Sequence, residues 1–297
     1  MAERLLIGAL KGGKNTKIIT LNGKKMTKMP STLGKLPGLR TLNLQNNLIP
    51  KVCPEISTLT QLTVLNLGNN LFKEVPEEMK YLTSLKKLHL FGNRICRFAP
   101  GACDLSELHF NYNQLICIPE EIKLLKKLQK LLLARNNIEV LPEGICDLKK
   151  LRILDIAGNI IQIFPPGFQN LKLREFYCEE NPLILKQPFI ANQREDIWSL
   201  KEITSRFVMN QLAGQNPFLM HAIEQFPEVK NIISKGKNCA ICGKFFLTIW
   251  LECVQFVPPS KNCKISKNLQ LVPVRILLCS YKCFNQRQPN LFGISQE

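Results

Sequence analysis

Long apolar runs are missing from this 297-residue chain. No stretch approaches the roughly 20 consecutive apolar residues that span a bilayer. The N-terminal apolar piece, Leu5 to Leu10, is too short for a secretory signal. No membrane association is therefore expected. Histidine is scarce: His89, His109 and His221 are the three present, and none stands in a recognisable nucleophile arrangement. Gly12-Gly13 lacks the spacing of a phosphate-cradling loop. An enzyme is not expected. Acidic residues are also short, 23 against 40 Lys and Arg, for a net charge of +17. The surplus is uneven: residues 1–54 carry +9, residues 55–183 only +1, and residues 230–297 carry +8. The basic ends lack the interleaved aromatics of a base-stacking platform. Nucleic-acid or anionic-surface binding by the C-terminal part is accordingly a lesser alternative to protein recognition.

What the chain has in abundance is one spaced pattern, L-x-x-L-x-L-x-x-N. It runs through Leu39, Leu42, Leu44 and Asn47, then Leu62, Leu65, Leu67 and Asn70, then Leu85, Leu88, Leu90 and Asn93. It resumes at Leu105, Leu108, Phe110 and Asn113, then Leu128 to Asn136, and Leu151 to Asn159. The period-2 spacing within each unit puts two apolar side chains on one face of a short strand. The Asn can bond backbone groups where the chain turns away from that strand, which a Leu could not. Pro76, Pro119, Pro142 and Pro165 suit the irregular outer side of a coil, because Pro fixes φ and donates no ladder bond. No unit can bury its own leucines, so each must stack on its neighbours. The pattern is that of the leucine-rich repeat. The resulting expectation is an α/β solenoid, curved, with short parallel strands on the concave face, followed by a helical cap and a small Cys-rich C-terminal module. The expected divisions are an N-terminal cap at 1–15, the solenoid at 16–185, a helical cap or linker at 186–236 and the Cys-rich module at 237–297.

The rhythm breaks once. Units start at 16, 39, 62, 85, 105, 128, 151 and 173, so the one beginning at Leu85 has 20 residues where its neighbours have 23. The strand motif survives, which places the loss on the outer side around Ala99 to Asp104. Either a short turn is tolerated there, or a longer array has been joined after losing units. Limited proteolysis is expected to cut between residues 98 and 106; a digest that never cuts there counts against a thinned outer side.

The concave strands offer a partner a mixed polar, basic and aromatic surface: Arg40, Asn43, Lys86, His89, Phe91, His109, Tyr112, Lys130, Arg135, Arg152 and Tyr177. Cys53, Cys96, Cys103, Cys117, Cys146 and Cys178 sit singly in separate turns, with no Cys-rich cap flanking the array. That distribution fits a reducing interior and a cytoplasmic setting.

After Asn181-Pro182 the composition changes. Residues 194–213 read as a helix closed by Gly214 and Pro217, expected to seal the last repeat. Next, Cys239-Ala240-Ile241-Cys242-Gly243-Lys244 supplies one thiol pair and Cys279-Ser280-Tyr281-Lys282-Cys283 a second. Two thiolates from a tight turn and two from a distant segment make a tetrahedral structural zinc site of Cys239, Cys242, Cys279 and Cys283. Cys253 and Cys263 are spare and could replace a ligand; free cysteines and a redox dithiol remain the alternatives. A module this small gains much from a metal.

The repeats together with the tail from Cys239 to Phe284 resemble a family of intracellular vertebrate leucine-rich repeat proteins. The resemblance implies a cytosolic adaptor, in a family that carries more repeats. Some relatives with a similar tail serve as substrate receptors of cullin ubiquitin ligases. In that light Ser199 to Val208 is similar to the box that binds elongin C, with Leu200, Thr204 and Val208 on one helical face and Thr204 where Cys is usual. This gives a ligase-receptor alternative, with elongin B/C and a cullin as partners.

Overall fold

A computed structural model describes residues 2–98, 104–184, 199–247, 251–259, 263–265, 269–286 and 291–293. The chain divides into two units: Met1–Leu183 with Pro258–Gln270, and Ile184–Val257 with Leu271–Glu297.

The first unit begins with helix α1 (Ala2–Gly12), which ends into a 3-10 turn, Gly13–Asn15. Eight three-residue strands follow, β1 (Ile18–Thr20), β2 (Thr41–Asn43), β3 (Val64–Asn66), β4 (Lys87–His89), β5 (Glu107–His109), β6 (Lys130–Leu132), β7 (Ile153–Asp155) and β8 (Glu175–Tyr177), all paired in parallel and in chain order. In β2 to β8 the middle residue is buried and its two neighbours are half-exposed. This is the alternation that the x-L-x motif prescribes. The leucines of each turn, such as Leu128, Leu131 and Leu133, form one continuous core. Fully burying each contributes about 1.5–3 kcal/mol. Short 3-10 turns make the opposite side; Pro76, Pro119 and Pro142 each precede one in extended conformation, as a residue with fixed φ and no donor should.

The motif asparagines are buried and bond successive turns together. Asn70 Nδ2 donates to Leu44 O at 3.0 Å and Leu67 O at 3.1 Å, and its Oδ1 accepts from Ile49 N at 3.0 Å. The short turn does not interrupt this ladder. Asn113 donates to Leu90 O at 2.9 Å and Phe110 O at 3.0 Å, and accepts from Ile95 N at 3.0 Å. The same contacts are made over three fewer residues. Lys87, Leu88 and His89 accordingly pair with Glu107, Leu108 and His109, and Phe98 packs edge-on against Phe110. The outer side of this turn, at residues 99–103, lies outside the described residues.

The residue before each ladder asparagine is left-handed: Asn46, Asn69, Gly92, Tyr112, Arg135, Gly158, and Glu180 before Asn181. Gly92 is required twice over, since its φ is +63° and a Cβ there would meet Asn69 Oδ1 at 1.9 Å.

One strand of this sheet was not expected. β12 (Lys264–Ile265) pairs in parallel with β8, and Pro258–Gln270 groups with the repeats. The edge of β8 is therefore paired by an excursion from the Cys-rich segment. A row of unpaired backbone groups at a sheet edge needs such a partner.

The second unit holds helices α2 (Leu200–Ala213), α3 (Pro217–Gln225) and α4 (Pro227–Ser234), then a hairpin of β9 (Lys237–Asn238) and β10 (Phe245–Phe246). A three-stranded antiparallel sheet follows, in the order β13 (Val272–Leu278), β11 (Leu251–Val257), β14 (Leu291–Gly293), with α5 (Tyr281–Asn285) after β13. The helices that follow the repeats group in one unit with most of the Cys-rich segment. Ser199 caps α2 by accepting from Glu202 N. The face of α2 that is buried is polar. Leu200, Ile203 and Phe207 are exposed, while Glu202 and Ser205 are buried. The cause is local: Glu202 Oε1 accepts from Arg206 Nε at 2.6 Å and from Leu247 N at 3.1 Å. A buried carboxylate needs that satisfaction.

Candidate functional site

Two places concentrate chemistry. The first is the cysteine cluster. Gly243, at φ +70°, closes the turn after Cys242, its N–H donating to Cys239 O at 2.9 Å. Ser280 caps α5 and brings Cys283 one helical turn from Cys279. The four sulfurs of Cys239, Cys242, Cys279 and Cys283 lie within 4.8 Å of one another. Cys242 Sγ and Cys279 Sγ are 3.5 Å apart, and Cys279 Sγ and Cys283 Sγ 3.7 Å. The edge of a tetrahedron of sulfurs around zinc is about 3.8 Å, from bonds of about 2.3 Å. The donor set and its spacing therefore fit a metal ion, and the i, i+4 spacing of the second pair is no obstacle because α5 closes it.

Burial tends to raise the Cys239 thiol, but backbone bonds from Cys242, Cys279 and Ile241 outweigh it and bring the group down to about 7. Burial, with thiol bonds to its neighbours, pushes Cys279 up to about 12. Arg206 reaches this cluster from α2, its Nη2 donating to Cys279 O at 3.0 Å. Sequence reasoning did not find this contact; it joins residues 73 apart with no motif between them. Cys253 is buried in β11 and, with Cys263, stands outside the cluster.

The second place is the strand face of the repeats. Asn43, His89, His109, Lys130 and Tyr177 occupy half-exposed strand positions, as expected. Arg40, Lys86 and Arg152 lie one residue ahead of their strands, and Phe91, Tyr112 and Arg135 lie beyond them. Arg152 is folded back onto its own backbone, donating to Lys149 O and Leu151 O. Arg135 is paired with Glu180, and Tyr177 Oη donates to Glu175 Oε2 at 3.2 Å. Lys86 and Lys127 both reach Asp104. Residues missed by the sequence reading share the same face: Lys87, Glu107, Ile153 and Glu175. The period of 2 within each motif was the signal that could have found them. Leu200 and Thr204 are exposed on α2, and Val208 is half-buried.

Comparison with known proteins follows these features. Two segments match models of the leucine rich repeat, at residues 37–95 and 150–171. The repeats resemble, in fold alone, the functional domain of InlJ from Listeria monocytogenes, at 23% identity and TM-score 0.50 over 60% of this chain and 38% of that one. No catalytic family is among these matches. No helix among the described residues is long and apolar enough to cross a membrane. Leucine-rich repeat-containing protein 69 of Homo sapiens is 68% identical, and that of Mus musculus 59%, each over the full length of both chains. The human alignment runs to 346 positions against the 297 residues here, a difference of 49. On this full-length likeness, the chain belongs to the leucine-rich repeat-containing protein 69 family.

Proposed function

We propose that this protein is a non-enzymatic cytoplasmic adaptor that holds a partner protein on the concave side of its repeats, while structural zinc at Cys239, Cys242, Cys279 and Cys283 orders its C-terminal unit. The observation that carries the reading is the pair Tyr112 and Arg135. Both occupy the left-handed position before a ladder asparagine, at φ +56° and +58°, on adjoining turns linked by Tyr112 N to Ala134 O at 2.8 Å. Four other turns place Asn or Gly there, Asn46, Asn69, Gly92 and Gly158, which adopt this conformation at little cost; the last turn places Glu180, which pairs with Arg135. For Tyr and Arg the strain is on the order of 1–2 kcal/mol each, and no core burial offsets it, since Tyr112 is 64% exposed. Exposed Tyr and Arg are the side chains that dominate protein interfaces. Affinity purification of the full chain from cells, against a Tyr112→Ala/Arg135→Ala variant, tests this. A partner present with the first and reduced at least tenfold with the second is expected; equal recovery removes the concave site.

A second reading, as a cullin ligase receptor, rests on the exposure of Leu200, Ile203 and Phe207 on α2, an apolar strip open to a partner helix. The same purification decides it: absence of elongin B and C from the intact chain's partners removes this reading.

A further inference from the structure

His89 and His109 hold the same motif position on β4 and β5, and the register that the short turn shares with the others pairs them directly. Their rings stack with centroids 4.2 Å apart and planes within 1°. The Nε2 atoms of both are buried and have no hydrogen-bond partner. Glu107, two residues before His109 on the same face, completes a cluster whose ligand atoms all lie within 4.8 Å of one another. Its Oε1 accepts from Lys87 Nζ at 2.7 Å, which leaves Oε2 at 3.9 Å from His109 Nε2.

We propose that His89, His109 and Glu107 form a metal site on the concave face of the short turn, taking a divalent ion such as Zn²⁺ or Co²⁺ and separate from the cysteine cluster. Two imidazoles and one carboxylate are the donor set that such ions accept. A buried, unpartnered ring nitrogen is otherwise costly, and a coordinate bond would satisfy both at once. Burial, followed by the neighbouring His89 ring, brings His109 down to about 4, and burial lowers His89. Both rings are thus neutral near pH 7, with lone pairs free to coordinate. Donors around a tetrahedral ion stand roughly 3.4 Å apart, from bonds of about 2.1 Å, so the cluster needs only a small closure. The imidazoles must also turn about χ2, a soft torsion. Lys87 and Lys130 face the same cluster and weaken its hold on a cation.

Cobalt titration of the full chain already carrying one equivalent of zinc tests the site. One further equivalent of Co²⁺ is expected, with weak d–d absorption and no thiolate-to-cobalt charge-transfer band. His109→Gln and His89→Gln, each shown by circular dichroism to remain folded, should weaken binding at least tenfold. Lys87→Met removes no ligand and frees the second oxygen of Glu107, so it should tighten binding several-fold. No uptake of cobalt, or uptake that survives both histidine substitutions, overturns the proposal. Unchanged affinity in Lys87→Met removes Glu107 from the site.

Discussion

Asn136→Ala should lower the stability of the repeat unit by about 2–3 kcal/mol, because the buried Leu115 N loses its partner while Phe110 O and Leu133 O each lose one of two side-chain donors and keep Asn113 and Asn159. Asn136 Nδ2 donates to Phe110 O at 3.0 Å and to Leu133 O at 2.9 Å, and its Oδ1 accepts from Leu115 N at 3.0 Å. Each group left buried and unpaired costs about 1–3 kcal/mol, reduced where water can enter the space. Alanine also removes the side chain that fixes the spacing between two turns, and in a stacked array that loss reaches both neighbours. Asn137, exposed and beside it, is the control: Asn137→Ala should stay within about 0.5 kcal/mol. Urea denaturation followed by circular dichroism measures both. A loss under about 1 kcal/mol for Asn136→Ala would mean that the ladder is not what holds the turns.

Zinc removal should have the larger effect on the second unit. Purified chain is expected to contain one zinc, and chelation to abolish the cooperative melting of residues 199–286 while the repeats keep theirs. Free energies of binding for structural zinc are about 10–16 kcal/mol in small modules, as large as the ordinary stability of about 5–15 kcal/mol for a whole domain. The unit has some core of its own, Phe246, Val254, Val274 and Leu278, so its collapse would be to a looser state and not to a random chain. Cys279→Ser should reproduce the effect without chelator, since Cys279 lies at hydrogen-bonding distance from two of the other thiols. Acid should act in the same direction, because thiolates are the ligands and protonation competes with metal. Zinc-free protein that melts cooperatively and at an unchanged temperature would refute a structural metal.

The repeats were legible because their signal is local. Leu42 and Leu44 declare a buried strand by spacing alone, and Asn47 a turn by its chemistry. The cysteine cluster was legible for a related reason, since two close pairs need only one fold that joins them. The register between turns was not legible in this sense. His89 and His109 are each legible as exposed strand residues at one motif position, but that their rings stack depends on side-chain torsions that the pattern does not specify. Strand β12 left no trace, because two residues, Lys264 and Ile265, show no period. The burial of Glu202 ran against its type; Arg206 stands at the i, i+4 spacing of a helical ion pair, but the contact with Leu247 N, 45 residues on, follows from no spacing.

The asparagine ladder carries a consequence for how such an array changes over time. Each rung asks only for a few residues of its own turn and the one before, so whole turns can leave without a penalty at the join. Asn113 reaches Leu90 O over 23 residues as Asn70 reaches Leu44 O over 26. The core is indifferent to length, but the outward-facing side chains are not. When turns drop out, amino acids that had no reason to be neighbours become adjacent, and new chemistry arises on a scaffold that needed no mutation to accommodate it. In a chain of this build, a change in repeat number is an edit to the text that a partner reads.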